Sequence, residues 1–441
     1  MKQLSFKASA RLSSVVLSFV GCCLALLLAA CGQPTAALVT PQLGAFNAAS
    51  NAQKQIATAP MPPTQTSCPT NGQGRPAVFA PLALGSHQNL VYTYNASGSA
   101  FLKRVDTSTG TKTTIVNLTR GAAIYSAQLS TDGQFILFVT KYAHSAELQM
   151  VRLDGQGLQT LYCAEPVNGL PNFIENALWS PNQQLTVFEE ENPGGAPGAP
   201  VVKLYNLLTG AVQTYITPGT RFGYAPRQWL NNTEVYLTGS YPSLIAAPAN
   251  VFILDIAKGT NQQNNTRKIV DIKGYNWEMN LSTDGKKLLL SQCADTPDQT
   301  DPNAPSIISS QNVTGGVLKP IYISHVFAIT QVRVINSNTL LMVLGGKFGS
   351  DPQAGLWKMN MDGTGLVHLT QNGKLLSETR TTWASISRNG TLYATIGYDY
   401  VGDGNTLPYK VLYGSLSGGT TTQVALTHRG ESAAIVGWTT F

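Results

Sequence analysis

A hydrophobic column that returns about every fifty residues constrains this chain more than any other feature. Aligned on the apolar residue before a polar turn, the column reads Ala83, Leu129, Trp179, Trp229, Leu281, Val334, Ile386 and Trp438, at spacings of 46 to 53 residues. The clearest unit runs over 126–163. In it Thr131-Asp132-Gly133 precedes the apolar run Phe135-Ile136-Leu137-Phe138-Val139-Thr140, and Asp154-Gly155 separates two further short strands. Asp and Gly both accept the left-handed dihedrals of tight turns. The runs between them are rich in aromatic and β-branched residues, as strands are. One such four-stranded unit cannot bury both its faces, so it requires neighbours like itself.

A period near fifty with four strands per unit predicts an all-β chain, a seven-bladed β-propeller. The turns vary one chemistry along the chain, through Pro181-Asn182, Asn231-Asn232, Asp284-Gly285, Ser337-Asn338 and Asn389-Gly390. The column has eight members, but only seven are followed by further strands. The first copy is the poorest, with Gly85-Ser86-His87 where its turn belongs. Because an unpaired strand leaves an open edge, residues 433–440 are expected to supply the first blade's inner strand, with residues 78–87 outside or beside it. The rival is an eight-bladed ring completed by the preceding segment.

The pattern Leu129-Ser130-Thr131-Asp132-Gly133, repeated as Leu281-Ser282-Thr283-Asp284-Gly285 and more loosely as Trp179-Ser180-Pro181-Asn182, resembles the TolB-type propeller repeat. That repeat also builds the propellers of dipeptidyl-peptidase-like enzymes. The resemblance covers roughly residues 78–441 and implies fold rather than activity, since propellers host many unrelated functions.

The N-terminal end reads as a targeting segment. Lys2, Lys7 and Arg11 precede an apolar run over 15–30, and Leu28-Ala29-Ala30-Cys31 resembles a bacterial lipobox with Cys31 as the lipid acceptor. The run of 16 residues falls short of the ~20 that span a bilayer, against an uncleaved membrane helix. Residues 1–30 are thus expected as a lipoprotein signal, 31–76 as a lipidated N-terminus with a disordered Ala/Thr/Pro/Gln-rich tether, and 77–441 as the propeller. The expected location is extracytoplasmic, anchored to the membrane through the lipid. The net charge falls from +6 to +3 once Lys2, Lys7 and Arg11 are removed, too weak for a nucleic-acid partner. Cys68, Cys163 and Cys293 remain after processing, and an odd count forbids complete pairing. A Cys68–Cys163 bridge would fasten the tether to the second blade; three free thiols are the alternative.

Connection lengths carry the functional expectation. First-to-second and third-to-fourth strand connections are tight turns, whereas the second-to-third connections at 190–200, 240–250, 293–305, 345–355 and 399–409 are long. All long ones emerge on the face that carries the blade-to-blade connections. Short turns on one face and long loops on the other suit a scaffold that displays a binding surface, although loop insertion without function costs little. Tyr125, Tyr224, Trp277 and Trp383 begin inner strands and would ring the channel mouth, either to stack on a ligand or to wedge blades together. Asp295, Asp298 and Asp301, with Asp399 and Asp403, place acid on that face, but without the order of a calcium loop. His144, His325 and His428 fall on or near it, yet no metal and no cofactor is expected. No nucleophile constellation is present: Gly414-Ser415-Leu416-Ser417-Gly418 has Leu at the centre of a would-be elbow. No hydrolase domain follows Phe441, so a propeller-gated peptidase is not expected. The expectation is a membrane-anchored scaffold for an envelope protein or glycan. The alternative is a carbohydrate-active propeller enzyme, such as a lyase holding a divalent metal with histidines.

Overall fold

The computed structural model describes residues 61, 63–70, 72–119, 121–143, 145–164, 166, 172–191, 201–217, 223–240, 250–271, 275–282, 285–293, 305–346, 355–370, 375–377, 386–398 and 409–441. Among these, strands form seven four-stranded antiparallel sheets, one per blade. From the second blade on, the inner strands are Ala123–Leu129, Phe173–Trp179, Gly223–Trp229, Tyr275–Leu281, Phe327–Val334 and Leu375–Ser377. Each leads outward through three more strands in sequence order.

The first turn of each blade explains the Ser-x-[Asp/Asn]-Gly signature. Ser130 Oγ donates to Asp132 Oδ1 at 2.6 Å and accepts from the Gln134 and Phe135 N–H groups. Ser180 with Asn182, and Ser387 with Asn389, repeat the hydroxyl-to-side-chain bond at 2.7 Å. Gly133, Gly285 and Gly390 close their turns at φ 74°, 66° and 70°; in the third blade, where no glycine stands at that place, Gln183 takes φ 62°. The third-to-fourth turns use glycine for a second reason. A Cβ on Gly155 would lie 2.6 Å from the Ile115 carbonyl oxygen of the preceding blade, and one on Gly363 would lie 2.5 Å from that of Ile321. These turns therefore seat one blade against the next.

The core is divided among the seams. Val91 and Leu102 of the first blade meet Ile136 and Phe138 of the second. The alternate residues Phe135, Leu137 and Val139 meet Ile174, Trp179 and Phe188 of the third. The remaining seams carry equivalent clusters. Because both faces of a blade are covered, the second strand Phe135–Lys141 is buried at six consecutive positions rather than at alternate ones.

The ring closes as the sequence predicts. Ser432–Thr439 pairs antiparallel with Asn89–Ala96 and becomes the inner strand of the first blade, ahead of Ser99–Asp106 and Lys112–Leu118. Trp438 is buried in the seam between the seventh and first blades. Arg388, in the first turn of the seventh blade, donates to the Trp438, Thr131 and Ser130 carbonyls, and Thr439 Oγ1 donates to the Gly133 carbonyl. One guanidinium thus joins the seventh blade, the closing strand and the second blade.

The last part of the stretch read as a tether forms a strap on the second blade. Gln65 makes a parallel bridge to Gln159 of the outer strand Gln159–Ala164. Cys68 and Cys163 are joined by a disulfide. After a turn the chain returns beside the same strand, with Arg75 N–H donating to the Leu161 carbonyl at 2.8 Å. It then crosses the tight-turn ends of the blades: Ala77 N–H bonds the Leu207 carbonyl, Leu82 N–H bonds Gln134 Oε1, and Gly85 N–H bonds the Thr440 carbonyl. Residues 78–87 thus lie beside the closing strand and not in its place. Arg152, 2% exposed, pairs with Asp154 at 2.7 Å and donates to the Ala80 and Pro81 carbonyls, pinning the strap from below.

Candidate binding face

Inner strands begin, and second strands end, on the face opposite the strap's crossing. Side chains at those strand ends form its described part. Most of the long connections lie outside the described residues, and with them Trp383, Asp295, Asp298, Asp301, Asp399, Asp403 and His144. Cys31 lies outside as well.

A recurrent irregularity shapes the channel side of this face. The register between inner and second strands slips by one residue in six of the seven described blades, at Val436, Tyr125, Asn176–Ala177, Arg227, Trp277 and Thr330. A bulge bends its strand and re-aims the side chains beside it. Asn176 shows the strain, at φ 47°, with its amide donating to Glu189. Tyr125 and Trp277, predicted at the mouth, both occupy bulge positions. Tyr224 does not. It is half-buried in the seam between the third and fourth blades, edge-on to Phe252 at 5.0 Å, and so acts as a wedge. Tyr125 is 51% exposed.

Around Tyr125 the structure assembles side chains that no motif announced. Lys141 Nζ sits 3.5 Å from the Tyr125 ring centroid and 4.8 Å from that of Phe173, and pairs with Glu175 Oε1 at 2.9 Å. Glu191, opposite Phe173 in the ladder, stands beside them. Burial raises its carboxyl pKa and the Glu175 charge adds to the rise, while Lys141 opposes both. Further out, buried Glu190 accepts from Tyr162 Oη at 2.6 Å and Asn172 Nδ2 at 2.7 Å, and pairs with Lys203 at 2.8 Å. Tyr125 and Glu175, and likewise Lys141 and Glu191, are equivalent positions fifty residues apart, but the repeat does not state that Lys141 of one copy meets Glu175 of the next.

A second group lies at the first blade. Tyr94 Oη donates to Glu431, which also accepts from the His428 N–H at 2.6 Å, while Lys103 Nζ lies 5.2 Å from the Tyr94 ring centroid and 4.8 Å from that of Phe101. Burial and the Glu431 carboxylate push the Tyr94 hydroxyl up to about 12. His325 and His428 are both exposed. The described His, Cys, Asp and Glu side chains offer one grouping of metal-ligand size, Cys68, Glu147 and Cys163, and its two sulfurs are committed to the disulfide. No helix among the described residues is long and apolar enough to cross a membrane.

No family model matches the chain, and no curated protein matches it. Among solved structures it is similar to TolB from Acinetobacter baumannii, at 16% identity and a TM-score of 0.42, over 64% of this chain and 63% of that one. The chain thus spans a little under two thirds of that protein. It is also similar to an uncharacterized protein of Listeria monocytogenes, at 11% identity and 0.48, over 82% of this chain and 97% of that one. An oligogalacturonate lyase in complex with manganese is similar at 12% and 0.41, over 69% and 73% respectively. The propeller assignment for this chain rests on its own sheet order.

Proposed function

We propose that the protein is a lipid-anchored, extracytoplasmic propeller of the cell envelope that binds a partner through the face carrying its long connections. The observation that carries this reading is the difference between the two faces. One is crossed by the strap at its first three blades and tied there by Arg388 and the closing strand. The other presents an exposed aromatic ring and ionic groups at the channel mouth. Protein recognition favours such aromatic and charged side chains held on a rigid frame.

The anchor follows from Leu28-Ala29-Ala30-Cys31, and the strap is joined from the tight-turn side of the second blade, where Met61 packs near Gly157. The disulfide suits an oxidising compartment. Metabolic labelling with an alkyne fatty acid tests the anchor: Cys31→Ser is expected to abolish labelling, and equal labelling of both forms refutes it. Pull-down from detergent-solubilised membranes tests the partner. The wild type is expected to retain an envelope component that Tyr125→Ala loses, and identical capture by both removes the loop face from the proposal.

A further inference from the structure

The cluster at the seam of the second and third blades is a seat for an ammonium group, and the chain's own lysine occupies it. Lys141 Nζ is held by two aromatic rings, Tyr125 and Phe173, and by one carboxylate, Glu175. Rings whose faces meet a cation, with a carboxylate on the same cation, are the general means by which proteins recognise ammonium groups. Three features mark this arrangement as more than a surface ion pair. First, a second carboxylate, Glu191, stands opposite Phe173 in the ladder, on the same wall as Glu175. Second, the principal ring is 51% exposed and stands on a bulge, so one wall is open to solvent. Third, the seat is framed by strand ends paired in register: Lys141 opposite Ala123, Phe173 opposite Glu191 and Glu175 opposite Glu189. Its walls therefore belong to rigid elements.

We propose that this seat takes a lysine side chain of a partner polypeptide, which displaces Lys141. The occupant already present is a lysine on an alkyl stem, so the chemistry that fits is stated by the fold itself. Lys141 lies at the end of the second strand, and its side chain is 20% exposed beside a Glu175 that is 25% exposed. Exchange therefore requires a rotamer change rather than a backbone change. Internal occupancy reduces apparent affinity by the fraction of time the seat is empty, so removing the internal lysine should reveal the site.

The inference deepens the reading of this face as the recognition surface and rests on it. Its test uses purified protein and a defined probe, so a failed membrane pull-down leaves it readable. The probe is the blocked tripeptide acetyl-Gly-Lys-Gly-amide, titrated by calorimetry, with the Nε-acetyl-lysine form and cadaverine as comparisons. Lys141→Ala is expected to bind the lysine peptide about tenfold tighter than the wild type, and not to bind the acetylated form. Adding Glu175→Gln or Tyr125→Ala to Lys141→Ala should return affinity to the wild-type level or below. Lys141→Thr, which suits a strand but is too short to reach the rings, serves if the alanine variant does not fold. Equal binding of the lysine and acetyl-lysine peptides overturns the proposal, as does unchanged affinity after Glu175→Gln. Tighter binding of cadaverine than of the peptide assigns the seat to a free amine and overturns the partner-lysine assignment.

Discussion

The outer strands of the second and fifth blades face the same problem and meet it differently. Gln159–Ala164 of the second blade is buried at all six positions, because the strap lies along it and a disulfide locks the two together. Lys319–Ser324 of the fifth blade is buried only at its last residue, and Ile323, at 49% exposure, stands near Val317 and Val326 in the chain, which are also exposed. An outer strand is an edge, and an edge invites pairing with other chains. The fifth blade limits this with a lysine at its start and with Pro320, which has no N–H to donate. One edge is covered by structure, the other merely made a poor partner. Stability should therefore be concentrated where the chain ends meet, around the first two blades.

The severest way to break the comparison is to delete residues 433–441. This removes Ile435, Val436 and Trp438, all buried, and the carbonyls that Arg388 and Gly85 hold. At about 1.5–3 kcal/mol for each large buried side chain, the loss is at least about 5 kcal/mol. Calorimetry should show a melting point lower by more than about 5 °C, or no cooperative transition. A melt within a degree or two of the wild type would mean that the closing strand does not hold the ring.

Arg152→Met is expected to come next. It strands Asp154 without its partner and frees the strap carbonyls, at about 3–5 kcal/mol for one partner of a buried pair. The pair also predicts a pH dependence. Burial alone would raise the Asp154 carboxyl, but bonds from Arg152 and the Gln156 N–H hold it below its ordinary value. A carboxyl depressed in the folded state adds stability above its unfolded pKa of about 3.9 and loses it as pH falls through the lower folded value. Strap protection measured by hydrogen exchange should thus fall in acid below about pH 4, and Asp154→Asn should flatten that part of the profile.

Opening the disulfide by the double change Cys68→Ser and Cys163→Ser should cost about 2–4 kcal/mol of strap docking. Exchange should accelerate in Gln159–Ala164 and leave Lys319–Ser324 as it was. Equal acceleration at both strands would erase the distinction between the two edges. The smallest effect is expected for Ile323→Lys, which adds charge to an edge that is already exposed. Its unfolding free energy should stay within about 0.5 kcal/mol of the wild type, while light scattering on heating should decrease. A larger loss would show that this edge is packed after all.

The sequence by itself determined the repeat, the turn chemistry and the surplus inner strand, while the choice between a seven-bladed ring and an eighth blade waited for the pairing of Ser432–Thr439 with Asn89–Ala96. The first three are local or periodic properties: Ser130, Asp132 and Gly133 interact within a few residues, and a missing inner strand shows as one surplus copy of the column. The disulfide stayed open in the sequence, because three cysteines allow more than one outcome and only the path of the strap brings Cys68 to Cys163. The mouth was legible in part. Tyr125 and Tyr224 look alike as aromatic residues at the start of inner strands, yet one stands on a bulge in solvent and the other wedges a seam. The bulge at Tyr125 shows only in the pairing of Ala123–Leu129 with Phe135–Lys141, where one extra residue opposes the ladder. Lys141, Phe173 and Glu175 are hidden in the same way: their distance along the chain says nothing until the ring sets one blade against the next. Tertiary structure alone decided that contact, because a seam between blades is made of residues from two repeats that neither repeat specifies by itself.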